Sequence, residues 1–283
     1  ARFDALTARA QIGGWHGSMD DVVLHMERAY ALAIDADRKD LQTTAAQVLA
    51  QTHIVRLELD EAERLLMRAL ELAGESGSIR ARAGATLSYG WFLVVKGELD
   101  AAETVFEEVR QAAAELGVEP LVATALSRLG DLAWRRSDYK RAEKLYREAL
   151  RITLARGDRG VLPDLQASLA ETLAALGKID EAELLALEVK ESVRLDDPHL
   201  GVTVSATYAV VRAAQGRDDE AEELYRSALE QTRKSGFAIL ELEVLERFVA
   251  FYRDRGRDDE AVVYETRLAD LVPSASARIE RIA

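Results

Sequence analysis

Seven times along this 283-residue chain a small apolar residue returns at nearly constant spacing: Val22, Ala62, Ala102, Ala142, Ala182, Ala221 and Ala261 stand 40, 40, 40, 40, 39 and 40 residues apart. A second register runs upstream of it at Ala10, Ala50, Gly90, Gly130, Ala170, Ala209 and Val249, with the same intervals. Two registers sharing one period constrain the fold strongly. Each unit must be a small supersecondary element that repeats, and it cannot bury its apolar face alone, so neighbours must stack.

Around the first register the spacing of apolar residues is i, i+4, i+7, i+8, as in Ala62, Leu66, Ala69 and Leu70, in Ala142, Tyr146, Ala149 and Leu150, and in Ala221, Tyr225, Ala228 and Leu229. That is one stripe of an amphipathic helix. Small residues in the stripe let two helix backbones approach, and larger ones fill the gaps between them. Ahead of it stand Gly17, Gly97, Gly177, Gly216 and Gly256, suited to a helix end that needs an unusual backbone angle. Asp20, Asp60, Asp100, Asp180, Asp219 and Asp259 follow, at the expected start of the helix, where a carboxylate caps amides and meets the positive end of the dipole. Each unit therefore reads as helix A, a turn and helix B. The expected units are about 1–38, 39–77, 78–117, 118–157, 158–196, 197–236 and 237–272, with 273–283 as a C-terminal tail or cap. No interdomain linker interrupts them, so the expectation is one elongated all-α domain.

Leu129-Gly130 followed by Tyr139-Lys140-Arg141-Ala142-Glu143-Lys144-Leu145-Tyr146-Arg147-Glu148-Ala149-Leu150 closely resembles the tetratricopeptide repeat (TPR). The resemblance implies a right-handed α-solenoid of seven TPR-like units. It departs from the family's common period of about 34 residues, so helices or connections are longer here. Such longer units are similar to the TPR regions of bacterial signal-transducing NTPases, related transcription regulators and large nucleotidyl cyclases. The stretch from Gly157 through Leu169-Ala170-Glu171-Thr172-Leu173-Ala174-Ala175-Leu176-Gly177 to Glu183 resembles the last group in particular. No phosphate-binding G-x-x-x-x-G-K-[ST] segment occurs, so any catalytic domain of such a protein is expected outside this sequence.

Composition narrows the chemistry. Lys and Arg number 37 against 50 Asp and Glu, and the formal charge of −13 disfavours a phosphate backbone, so no nucleic-acid partner is expected. The absence of cysteine removes disulfides, thiolate metal sites and a cysteine nucleophile, and fits a reducing, cytoplasmic setting. Apolar runs such as Trp91 to Val95 are far short of the roughly 20 residues a membrane helix needs. The chain opens on Ala1 in a helical pattern, which suggests a fragment of a longer protein.

The same frame locates the candidate sites. The acids Asp218, Asp219 and Glu220 could be a metal cluster, but the same acids recur wherever a helix starts, so no metal or cofactor is expected. His16, His25, His53 and His199 form no ligand spacing, Arg156-Gly157-Asp158 sits in an ordinary turn, and no catalytic constellation converges. The chain is read as a non-catalytic scaffold. In the tetratricopeptide family helix A lines the concave surface, and counting from its small residue selects Thr44, Gln47 and Gln51; Leu87, Trp91 and Val94; Thr124, Ser127, Asp131 and Trp134; and Asp164 and Glu171 in the fifth unit. Trp91 and Trp134 are read as anchors for a protein or peptide, with packing as the alternative for both, and Gln47 and Gln51 as a clamp on a peptide backbone. Trp15 is expected to cover one end of the stack. Ile279 and Ile282 are expected to cover the other or to join a second molecule. The partner could equally be an adjacent domain of the same polypeptide. The competing reading is a regulatory or sensory segment of a larger bacterial signalling enzyme or transcription regulator.

Overall fold

The 40-residue period resolves into helix pairs. The computed structural model describes residues 2–15, 18–158, 160–192, 198–235 and 237–271, with the side chains of 11–15, 198, 234 and 235 also outside the description. Among the described residues there are fourteen helices: α1 Arg2–Trp15, α2 Met19–Asp35, α3 Lys39–Val55, α4 Leu59–Ser76, α5 Ile79–Lys96, α6 Leu99–Glu115, α7 Glu119–Arg135, α8 Tyr139–Arg156, α9 Leu162–Ala175, α10 Ile179–Ser192, α11 Pro198–Ala214, α12 Asp218–Ser235, α13 Ala238–Arg253 and α14 Asp258–Leu271. Odd helices carry the upstream register and even helices the downstream one. No helix among the described residues is long and apolar enough to cross a membrane. The residues group into two compact units, Ala1–Ala125 and Leu126–Ala283.

Both registers are core. Val22, Ala62, Ala102, Ala142, Ala182, Ala221 and Ala261 are all buried, as are Ala10, Ala50, Gly90, Gly130, Ala170, Ala209 and Val249. The reason is visible where glycine replaces alanine. A Cβ on Gly130 would stand 2.7 Å from the ring of Tyr146, and one on Gly90 would run into Phe106. Sixteen residues separate each glycine from its ring, the offset between facing positions of one helix pair. Helix A therefore gives up its side chain so that helix B can seat an aromatic there. Toward the end of the second unit rings also pack among themselves: Phe248 stacks on Tyr225 at 4.8 Å and on Tyr252 at 4.6 Å, with Tyr264 at 4.4 Å.

Among the described residues the turn within a pair is one motif, with a left-handed residue at Leu57, Gly97, Ser137, Gly177, Gly216 and Gly256. At Gly97 the backbone is left-handed, φ 85°, its N–H donates to the Val94 carbonyl, and the next N–H, of Glu98, donates to that of Leu93. Leu57 and Ser137 occupy the same repeat position with φ of 61° and 59°, where a Cβ costs energy that glycine avoids.

The acids after this turn act differently from the expectation. Asp20, Asp60 and Asp100 lie at the second helical position, and the caps ahead of them are Ser18, Glu58 and Glu98. Glu58 and Glu98 make no side-chain cap bond, whereas Asp138, outside the acid register, accepts from the Arg141 N–H at 3.2 Å. The repeated acids thus face the helix dipole without capping, because the cap position falls two residues earlier. The end-covering roles expected of Trp15, Ile279 and Ile282 lie outside the described residues.

Two outcomes are expected from urea denaturation. Ser137→Gly, at an exposed site, should stabilise the chain by about 0.5–1 kcal/mol through relief of left-handed strain. Gly90→Ala should destabilise it by about 1–2 kcal/mol despite alanine's better helix propensity, and Phe106→Leu in the same chain should restore most of the loss.

Candidate functional site

Odd helices pack side by side, α3 against α5 in the first unit, and α9 against α11 and α11 against α13 in the second. The sequence-selected residues ride on these helices, so their fate depends on how closely the odd helices approach.

In the first unit the glutamines hold that approach together. The Gln51 amide donates to the Ser88 hydroxyl at 2.9 Å, and Ser88 donates to the Gly84 carbonyl at 3.0 Å. The Gln47 amide lies against Gly84, where a Cβ would meet its Oε1 at 2.7 Å. Thr44 donates back to the Asp40 carbonyl at 3.0 Å, and Thr124, on the first turns of α7, does the same to the Pro120 carbonyl at 2.9 Å. Val94 is buried, like Ile54 and Ala174 at the same repeat position, so that position packs between helices. Leu87 and Trp91 remain half-buried, although Phe92, Leu93, Val94 and Val95 directly after Trp91 are core.

The second unit is polar on the corresponding helices. Ser127 is half-buried, and Asp131 accepts from the Tyr146 hydroxyl at 2.7 Å and pairs with Arg128 at 3.2 Å. Burial, followed by the charge of Asp131, pushes the Tyr146 hydroxyl well above its usual range. Trp134 lies edge-on to Tyr139 at 6.3 Å, and the Arg247 guanidinium stands over its ring at 5.7 Å. Its indole Nε1 is buried with no hydrogen-bond acceptor among the described residues. Arg247 in turn donates from Nε to Glu171 at 2.9 Å and from Nη1 to the Glu243 carbonyl at 3.0 Å, and Glu171 also accepts from the Thr207 hydroxyl at 3.2 Å. Arg135, next to Trp134, donates to Glu246 at 3.1 Å.

This network joins four odd helices: Trp134 and Arg135 from α7, Glu171 from α9, Thr207 from α11, and Glu246 and Arg247 from α13. Burial works against the charge of Arg247, but Glu171 and Glu243 outweigh it and hold the guanidinium more basic than usual. Such a group orients and neutralises charge and moves no protons. Register counting selects Glu171 in the fifth unit and, continued to the seventh, selects Glu243 and Glu246. Nothing in the sequence pairs Glu246 with Arg135, 111 residues away.

Several of the other candidates pair with neighbours, whereas the His25 Nδ1 is buried with no hydrogen-bond partner among the described residues. Asp218 pairs with Arg255 at 2.7 Å, a hydrogen bond that holds its carboxyl below the usual range, and Glu220 pairs with Arg217 at 2.5 Å. His53 meets Glu58 at 2.5 Å, and His199 lies 3.8 Å from Asp164. His16 lies outside the described residues. Among the described residues no group of three His, Asp or Glu is placed to hold a metal ion.

The family described as the MalT-like TPR region matches residues 44–267. No curated protein matches the chain. Among solved structures, a Rap protein complexed with competence and sporulation factor superposes with a TM-score of 0.79 at 13% identity, covering 98% of this chain and 76% of that one. The Rap conjugation gene regulator of the plasmid pLS20, in complex with the Phr* peptide, gives 0.77 at 14%, covering 99% and 76%. Aspartyl phosphate phosphatase F from Bacillus subtilis gives 0.71 at 12%, covering 95% and 70%. At these identities the likeness is one of fold: an all-α repeat of tetratricopeptide-like helix pairs.

Arg247→Met should cost about 3–5 kcal/mol in chemical denaturation, because it leaves Glu171 buried without a counter-charge. Adding Glu171→Gln, which keeps an acceptor for Thr207, should recover at least half of that loss.

Proposed function

The chain belongs to the MalT-like TPR family, and from that premise we propose that it is a non-catalytic scaffold that binds a protein or peptide on its odd-helix faces. The observation that carries this reading is the state of Trp91. It is flanked by core residues, yet it keeps part of its ring surface open beside the half-buried Leu87. Aromatic side chains in such settings supply most of the affinity at peptide-binding surfaces, since one ring buries a large area at small entropic cost. Gln47, Gln51 and Val94 support the surface by fixing α3 to α5 and filling the layer beneath, and Thr44 and Thr124 present polar edges. In the second unit Ser127, Asp131 and Trp134 are the corresponding positions.

Two of the structurally similar proteins are seen in complexes, a Rap protein with competence and sporulation factor and a Rap conjugation gene regulator with the Phr* peptide, and the second favours a peptide over a large folded partner. The same likeness supports the second reading, a regulatory or sensory segment of a larger bacterial signalling protein, with any catalysis residing elsewhere. The reducing, cytoplasmic setting belongs to the same proposal.

A peptide selected from a displayed random library against the intact chain provides the test. Trp91→Ala should weaken its binding at least tenfold, as a central aromatic anchor does, while helicity by circular dichroism stays constant. Unchanged affinity in both Trp91→Ala and Trp134→Ala would remove the odd-helix faces as the binding surface.

A further inference from the structure

The charged network of the second unit makes contacts that repeat packing does not require. Neighbouring odd helices touch in any stacked array, but the Arg135–Glu246 pair joins the fourth odd helix to the seventh, and Arg247–Glu171 joins the seventh to the fifth. The four side chains are 23% and 14%, then 24% and 6%, exposed, so each pair is largely withdrawn from water. Pairs so placed are screened little by salt and cost desolvation to assemble, which makes them poor candidates for simple surface decoration. Beside them lies half-buried Trp134, with the Arg247 guanidinium over its ring at 5.7 Å and its indole N–H buried with no acceptor among the described residues. An unspent buried donor is costly in any state that never uses it.

We infer that Arg135–Glu246 and Arg247–Glu171 form a clasp that keeps α13 closed over Trp134, and that anything binding this face of the second unit must first open it. The consequence for binding rests on the proposed use of the odd-helix faces; the clasp itself does not. Opening moves Arg247 off the ring and frees three groups at once: an aromatic face, an indole donor and a guanidinium. A ligand then finds the open form only as a fraction of molecules, and its apparent affinity is reduced by that fraction. The face is thereby reserved for ligands able to replace what opening removes, a group that stacks on the indole together with a carboxylate or carbonyl that accepts from Nε1 or Arg247. In the first unit no guanidinium stands over the Trp91 ring among its described contacts, although both tryptophans are half-buried.

The indole N–H of Trp134 reports opening directly, because it exchanges with water only when uncovered, and the Trp91 indole serves as an internal control. Solvent exchange of both signals is measured by NMR on the full chain without any ligand. Glu246→Gln and Glu171→Gln should each speed exchange at Trp134 about tenfold, the range expected when one charge of a coupled pair is removed, and leave Trp91 unchanged. Arg135→Glu combined with Glu246→Arg should return Trp134 to the wild-type rate. The clasp is overturned by an unaltered Trp134 rate in a folded Glu246→Gln chain, by equal acceleration at Trp91, or by failure of the charge exchange to restore protection. If Glu171→Gln does not fold, the Glu246→Gln comparison decides alone. A displayed-library peptide that binds wild type and Glu246→Gln equally, while Trp134 exchange is faster in the variant, supports the clasp and removes only the reading of this face as a binding surface.

Discussion

The structure depends on how closely helix A can approach helix B within a pair. A buried Ala, Gly or small β-branched residue stands on each side of that contact in all seven pairs, and in two of them even a methyl group is excluded by the ring opposite. Close approach increases the number of dispersion contacts per residue and leaves no void for water. It also fixes the rotation of each helix about its own axis, since only one face can come so near. Everything presented elsewhere on the odd helices, polar or aromatic, inherits its direction from that choice.

With orientation fixed in this way, the two units spend their odd helices differently. The first uses neutral amides and hydroxyls between α3 and α5, groups whose hydrogen bonds are complete at short range and carry little desolvation cost. The second buries full charges. Its arginines and glutamates are individually expensive to withdraw from water, and they hold only because each has a partner supplied by another helix. A buried charge network tolerates fewer arrangements than an apolar layer does, because every member must be satisfied at once. That restriction makes the neighbourhood of Trp134 a defined state, while Trp91 sits on α5, whose hydrogen bonds with α3 are between neutral groups.

How far the site could be read in advance follows the same division. Counting from the small helix-A residue puts Trp91, Leu87 and Gln51 on the odd helices α5 and α3, since a helical repeat converts sequence position into direction. What Val94, Gln47 and Gln51 meet there is decided by packing against neighbouring helices. Val94 lies four residues past the register residue, a position that is also buried at Ile54 and Ala174 and half-buried at Trp134. Polar residues on helices usually face solvent, yet the Gln51 amide donates to Ser88 of α5 and the Gln47 amide lies against Gly84 of the same helix. The acids after the turn were rightly tied to helix starts but assigned to a cap that lies two residues earlier.

The sequence alone determined the period, the number of helix pairs, the small residues at their contacts and the turn geometry, because these are local consequences of side-chain size and backbone freedom repeated seven times. It also determined membership of the tetratricopeptide class, through the grammar around Ala142. Only the tertiary structure decided which charges meet. Arg135 and Glu246, or Arg247 and Trp134, are brought together by the cumulative rotation of several stacked pairs, and such a sum of small angles leaves no mark at any single position in the chain. A short-range rule can therefore predict each unit, while the partners of a side chain three units away are fixed by the geometry of all the units between.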